Sequence, residues 1–335
     1  MTVRLINYGA SLTSIIVPDS KGNLNDILLG FDDIEGYKKP ENTFLGATLG
    51  RFANRIAGGK FVLISKNNAV PIEYYLNKND GDNTLHGGYY SFGKVFWYEC
   101  SSGSDDAVTL CYDSQDGESG FPGSVRASVT FTLNSKNELR IKYNADATNK
   151  PTPINMANHA YFNLAGHKAG SKELYEHVVS IVADKYTPVD ENSIPTGEIK
   201  NVKGTPYDLR NWTTVGLAIA LKLPNGYDTN FALSCWEKQS DEKIKKPCLA
   251  ARIFHPDTKR VLSVITNQPG LQFYTANTLS VAGKEGVYYG KQSAFCMETQ
   301  HFPDSVNHPN FPNTILNPGE IYSYESIYKF EIGKF

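Results

Sequence analysis

The chain has 335 residues, enough for two ordinary domains or one large all-β domain. Its 33 Lys and Arg against 35 Asp and Glu leave a formal net charge of −2, which offers no field to gather nucleic acid or an anionic membrane surface. Five cysteines, Cys100, Cys111, Cys235, Cys248 and Cys296, are odd in number, widely spread and without metal-ligand spacing, and they read as reduced, mostly buried thiols.

The first residues, Met1 to Asn7, turn polar almost at once, and no apolar run approaches the ~20 residues of a membrane span. A soluble cytoplasmic protein is expected. Short apolar or alternating runs then recur, each closed by Gly, Pro, Asn or Asp: Leu12 to Val17, Ile27 to Phe31, Phe61 to Ile64 and Val108 to Tyr112 read as strands. The clearest hairpin runs from Val125 to Asn144. Val125, Ala127, Val129, Phe131 and Leu133 alternate with polar or small residues, and Leu139, Ile141 and Tyr143 alternate on the return.

Helical periodicity is scarce, the best candidate being a stretch around Val215 to Leu223, stopped by Pro224-Asn225-Gly226. With no alternation of strands and helices, no repeats and no linker, 1–335 reads as one antiparallel β domain. Three long loops, Asn77 to Gly93, Pro188 to Pro206 and Gln300 to Asn317, are where function is to be sought.

Four segments carry the candidate chemistry. Gly50 to Ile56 holds Arg51 and Arg55, which on a straight strand share a face, where an arginine fork can serve either neighbouring hydroxyls or a surface acid. Leu85-His86-Gly87-Gly88 sets a histidine before two glycines, whose missing side chains would let a ligand near the backbone. Pro153 to Leu164 flanks His159 with apolar residues, so it is either a core histidine held by an Asn or an adjustable acid. Gly226 to Phe231 carries Asp228, and Ala294 to Asp304 places Glu298 after an apolar run, where a carboxylate needs a partner or a task.

In order and separation these segments resemble the aldose 1-epimerase (galactose mutarotase) family, together with Asn7-Tyr8-Gly9-Ala10, Leu29-Gly30-Phe31, Pro195-Thr196-Gly197 and Pro269 to Thr275. The resemblance implies a large antiparallel β-sandwich of the galactose mutarotase type that exchanges the α and β anomers of a free hexose. It further implies Glu298 as general base, His159 as general acid, and Asn54, Arg55, His86, Asp228 and Gln272 as sugar-binding residues. Ring opening and closure return every proton, so neither a metal nor an organic cofactor is expected. A close carboxylate and imidazolium would each favour the charged form of the other. Thr229 departs from the family, where a His commonly follows the binding Asp. Many relatives also carry a further strand before the Asn7 segment. The expected partner is a small hexose, with the protein a monomer or weak dimer and no nucleic acid or membrane involved. Three rivals stand beside this reading: a glycoside hydrolase using Asp228 and Glu298, a noncatalytic sugar-binding module, and a sugar-phosphate epimerase with added cations.

Overall fold

A computed structural model describes residues 1–64, 70–104, 106–147, 149–239 and 245–333. The hairpin forms as its alternation dictates. Val125–Leu133 pairs antiparallel with Glu138–Ala147, setting Val129 opposite Tyr143 and Phe131 opposite Ile141. A slip of one residue would turn this buried row to solvent, at about 1.5–3 kcal/mol for each large apolar side chain, so the pattern fixes the register.

The hairpin lies within a nine-stranded sheet, in the order Thr213–Thr214, Val178–Ile181, Cys248–Phe254, Arg260–Thr266, Ile321–Ile332, Glu138–Ala147, Val125–Leu133, Ala107–Ser114 and Tyr98–Ser104. Against it packs a five-stranded sheet ordered Lys200–Asn201, Lys185–Thr187, Asp228–Ala232, Gly270–Tyr274 and Cys296–Gln300. One face of the second sheet sends Phe231, Leu271, Phe273 and Met297 into a core shared with Val129, Ile141, Tyr143 and Val264 of the first. The Thr299 hydroxyl hydrogen-bonds to that of Ser326, and Tyr328 donates to the Met297 carbonyl at 3.3 Å, tying the layers together. A β-sandwich results, and it places the opposite face of the five-stranded sheet beneath the loops.

Two readings of the sequence need correction. Ile27 to Phe31 is not a strand: Leu24–Asp26 ends before it, and only Leu28 makes an isolated bridge, to Phe162. Its apolar run reflects burial, which a core-lining loop requires as much as a strand does. Nor are the cysteines all reduced. Cys100 is joined to Cys111 and Cys235 to Cys248, leaving Cys296 as a buried free thiol. Pairing of Tyr98–Ser104 with Ala107–Ser114 brings the first two cysteines to a Cα separation of 5.8 Å, a proximity that sequence spacing conceals. The helix foreseen near Val215 spans Val215–Lys222. Among the described residues no helix is long and apolar enough to cross a membrane.

His177 shows how burial sets a charge state in this core. Its Nε2 accepts from the Leu164 N–H at 3.0 Å and its Nδ1 donates to the Glu173 carbonyl at 2.8 Å, an arrangement that only neutral imidazole satisfies. Burial, with His255 beside it, pushes its pKa down to about 3. The folded value lies below the unfolded one, so this stability is complete above about pH 6.5 and is lost as pH falls toward 3. Urea unfolding of wild type and His177→Asn should therefore show a gap that favours wild type at pH 7. The gap should narrow by up to about 1.4 kcal/mol per pH unit below 6.5. A gap independent of pH would contradict this.

Candidate active site

The polar face of the five-stranded sheet follows from period-two alternation. With Phe231, Leu271, Phe273 and Met297 turned to the core, Asp228, Asn230, Gln272, Tyr274, Cys296 and Glu298 must point the other way. Register places Asn230, Gln272 and Glu298 in one row across three strands, and Asp228, Tyr274 and Cys296 in the next. Thr229, the residue that departs from the family, sits opposite Phe273 on the core face. It is a neighbour of the site in sequence only.

A second wall comes from Ala157–Asn158, paired with Thr48–Leu49, after which the chain delivers His159 and Tyr161. His159 is not held by an Asn. Its backbone N–H donates to the Ala47 carbonyl, its ring stacks on Tyr161 at 4.8 Å, and its Nδ1 lies 3.5 Å from the Cys296 Sγ. A third wall is the short pair Arg55–Ile56 with Thr84–Leu85. There Asn54 and His86, both at positive φ (65° and 52°), lock each other: His86 N–H donates to the Asn54 carbonyl, and the Asn54 N–H donates to His86 Nδ1 at 3.1 Å. Nδ1 is thereby the acceptor, which leaves Nε2–H as the donor.

These walls enclose a cleft of about 340 Å³, lined among others by Asn54, Arg55, His86, His159, Asp228 and Glu298. Gln272 lies behind it, donating from Nε2 to Asp228 Oδ1 at 2.6 Å and so orienting that carboxylate. Arg55 is aimed by Asp80, whose Oδ2 accepts from Nε at 2.8 Å. Arg51 does not share its face. The turn at Asn54 breaks the strand, and Arg51 is buried, donating to the Pro122 and Gly123 carbonyls at 3.0 and 2.7 Å. The glycines after His86 also serve packing rather than ligand access: a Cβ on Gly87 would stand 2.1 Å from the Gly50 carbonyl oxygen.

At the centre, His159 Nε2 stands 3.7 Å from Glu298 Oε1, with both side chains almost fully buried. Burial dominates their electrostatics. It pushes His159 down to about 4, and it pushes Glu298 well above the usual carboxyl range, an effect that the charge on Asp228 reinforces and Arg55 opposes. Asp228 is itself raised by burial, and His86 is driven well down by burial and by His159. Burial thus works against the mutual support expected of carboxylate and imidazolium. Desolvation favours the neutral acid and the neutral imidazole over the ion pair.

Sequence reasoning passed over Tyr161, Tyr274, Asp80 and Cys296 as parts of this site. The first two sat in quoted motifs as unremarkable aromatics, and Asp80 lay inside the long loop that begins at Asn77. Cys296 stands two positions before Glu298, and period-two alternation could have placed it on the same face.

Comparison with known proteins shows the family and agrees with the fold. The profile described as Aldose 1-epimerase matches residues 1–329. The galactose mutarotase of Bos taurus is 44% identical over 334 residues, covering 99% of this chain and 92% of that protein. The aldose 1-epimerase of Escherichia coli K12 is 36% identical over 337 residues, covering 98% and 92%. Among solved structures, a C. elegans aldose epimerase homologue superposes with a TM-score of 0.88 at 28% identity, covering 99% of this chain and 96% of that one. Galactose 1-epimerase from Lactobacillus acidophilus superposes at 0.80 with 27% identity, covering 99% and 91%. On the matched length and the shared sandwich fold, the chain belongs to the aldose 1-epimerase family.

Proposed function

We propose that His159 and Glu298 exchange the anomers of a free hexose such as galactose or glucose by sharing one proton across the cleft. The observation that carries this reading is their 3.7 Å approach at the point where His86, Arg55 and Asp228 converge. Family membership makes the reaction an exchange of α and β anomers. The chemistry needs one group to take the proton of the anomeric hydroxyl and another to protonate the ring oxygen as its bond to the anomeric carbon breaks.

With Glu298 as carboxylate and His159 as imidazolium, ring opening moves one proton onto Glu298 and one off His159. What remains is an open aldehyde beside a neutral acid and a neutral imidazole. That is the pair of charge states burial favours, so the desolvated cleft pulls the opening step forward. To begin a cycle the proton passes from Glu298 to His159, helped by the Arg55 charge, which favours the Glu298 carboxylate. Rotation of the aldehyde and closure on its other face reverse both transfers. Neutral His86 donates from Nε2, Arg55 donates from its guanidinium, and Asp228, oriented by Gln272, accepts from a ring hydroxyl.

A glycosidase would have to use Asp228 and Glu298 as its working pair, yet the group that approaches Glu298 is His159. A purely binding module has no need of a histidine and carboxyl so desolvated and so close. The two disulfides remove the argument for a cytoplasmic setting that rested on reduced thiols.

The pH dependence tests the shared proton. One proton on the pair is the active state, so kcat/KM should hold down to about pH 4, where His159 accepts a second proton. It should fall at alkaline pH as the pair loses its last one. Progress curves of α-galactose equilibration across that range, followed by polarimetry, check this. An acid limb near 6.5, the ordinary imidazole value, would contradict it.

A further inference from the structure

We propose that the cleft also takes a thiophilic divalent cation of the Zn²⁺ or Cd²⁺ class on Cys296, His159 and Glu298, and that the bound ion blocks anomer exchange. One ligand atom from each of these residues lies within 4.8 Å of the other two, and all three side chains are buried. Cys296 is the free thiol, and alternation along Cys296–Gln300 turns it to the same face as Glu298. A second observation points into the same place: Glu298 Oε2 is buried and has no hydrogen-bond partner, so it is an acceptor awaiting a cation or a donor.

Thiolate, imidazole and carboxylate form a zinc-type ligand set, whereas Ca²⁺ and Mg²⁺ require several hard oxygens. Bond lengths of about 2.0–2.3 Å place tetrahedral ligands roughly 3.5 Å apart, so the three atoms need to close by about 1 Å. Charge also balances. The Cys296 thiol, and Glu298 where it is protonated, release their protons to solvent, and the two resulting negative charges cancel the ion's two positive ones. A neutral complex is what a desolvated cleft can hold. Three protein ligands leave a fourth coordination position for water or a sugar hydroxyl. Spacing along the chain conceals the set because His159 and Cys296 are 137 residues apart.

The binding half of this proposal is independent of the sugar chemistry, whereas the inhibitory half rests on the roles given to His159 and Glu298. Cd²⁺ titrated into the full chain without thiol reductants should produce a cadmium–thiolate charge-transfer absorption that saturates at one ion per chain. Mutarotation should fall in step and return with a chelator. Cys296→Ser should abolish the band. Glu298→Gln should keep the band but weaken binding by at least the ~10–100-fold that loss of an outer-shell partner costs, and it carries the test should the serine variant not fold. A wild-type chain that is active but shows no band overturns the site, as does a band that survives folded Cys296→Ser or binding undiminished in Glu298→Gln. A band without mutarotation at any Cd²⁺ concentration leaves the site standing and overturns the sugar reading instead.

Discussion

Glu298→Gln should lower kcat for galactose mutarotation by about 10²- to 10⁴-fold while KM changes much less. The amide keeps the size of the side chain and can still hydrogen-bond, but it cannot shuttle a proton to and from His159 across the 3.7 Å gap. Because Glu298 is almost fully buried and its carboxyl is held toward the neutral form, Gln resembles the state that burial favours. Stability should accordingly be kept, and thermal unfolding recorded beside the kinetics separates lost chemistry from lost fold. Near-normal turnover in a folded variant would move the base to another residue. Asp228→Asn should show the opposite emphasis, with KM rising more than kcat falls, since Gln272 would lose the carboxylate it orients.

Arg51 and Arg55 should differ sharply, although four residues apart in one segment. Arg51→Met should cost about 3 kcal/mol or more of stability. It would strip donors from the Pro122, Gly123 and Gln115 carbonyls and from the Thr152 and Ser114 hydroxyls, all but the Gln115 contact buried. Burial already pushes its guanidinium down to about 10, a sign of how far it stands from water. Arg55→Met should cost about 1 kcal/mol or less, because its Asp80 partner is about one-third exposed. It should instead raise KM by about 10- to 100-fold, the worth of a charge-assisted hydrogen bond to the sugar. Denaturant curves and steady-state kinetics on both variants test the contrast, and equal stability losses would contradict it.

What the sequence made legible was local. The alternation of Val125, Ala127, Val129 and Phe131 against Leu139, Ile141 and Tyr143 reports one face of one hairpin, and the structure pairs those residues as the pattern requires. The same rule applied to Cys296–Gln300 would have turned Cys296 toward the site with Glu298. Which strands become neighbours is a different kind of information. Gln272 meets Glu298 through register between Gly270–Tyr274 and Cys296–Gln300, and Cys100 meets Cys111 through a hairpin whose turn carries no strong signature.

Arg51 and Arg55 were placed on one face because spacing assumes a straight strand, and a single left-handed residue, Asn54, cancels that assumption. Charge states were least legible. A close acid and base suggest an ion pair on Coulomb's law alone, and only the depth of burial shows that desolvation opposes that preference. The roles given to Glu298, His159, Asp228 and Gln272 came from family resemblance. The residues by themselves left a core histidine and a structural ion pair equally open.

The most direct test of the central claim is the optical rotation of freshly dissolved α-galactose, followed at neutral pH with increasing amounts of the purified chain. The first-order rate of approach to equilibrium should rise in proportion to protein concentration while the final rotation stays that of the uncatalysed mixture, since a catalyst lowers the barrier in both directions. A rate that does not depend on the protein, with galactose and with glucose alike, would contradict the account.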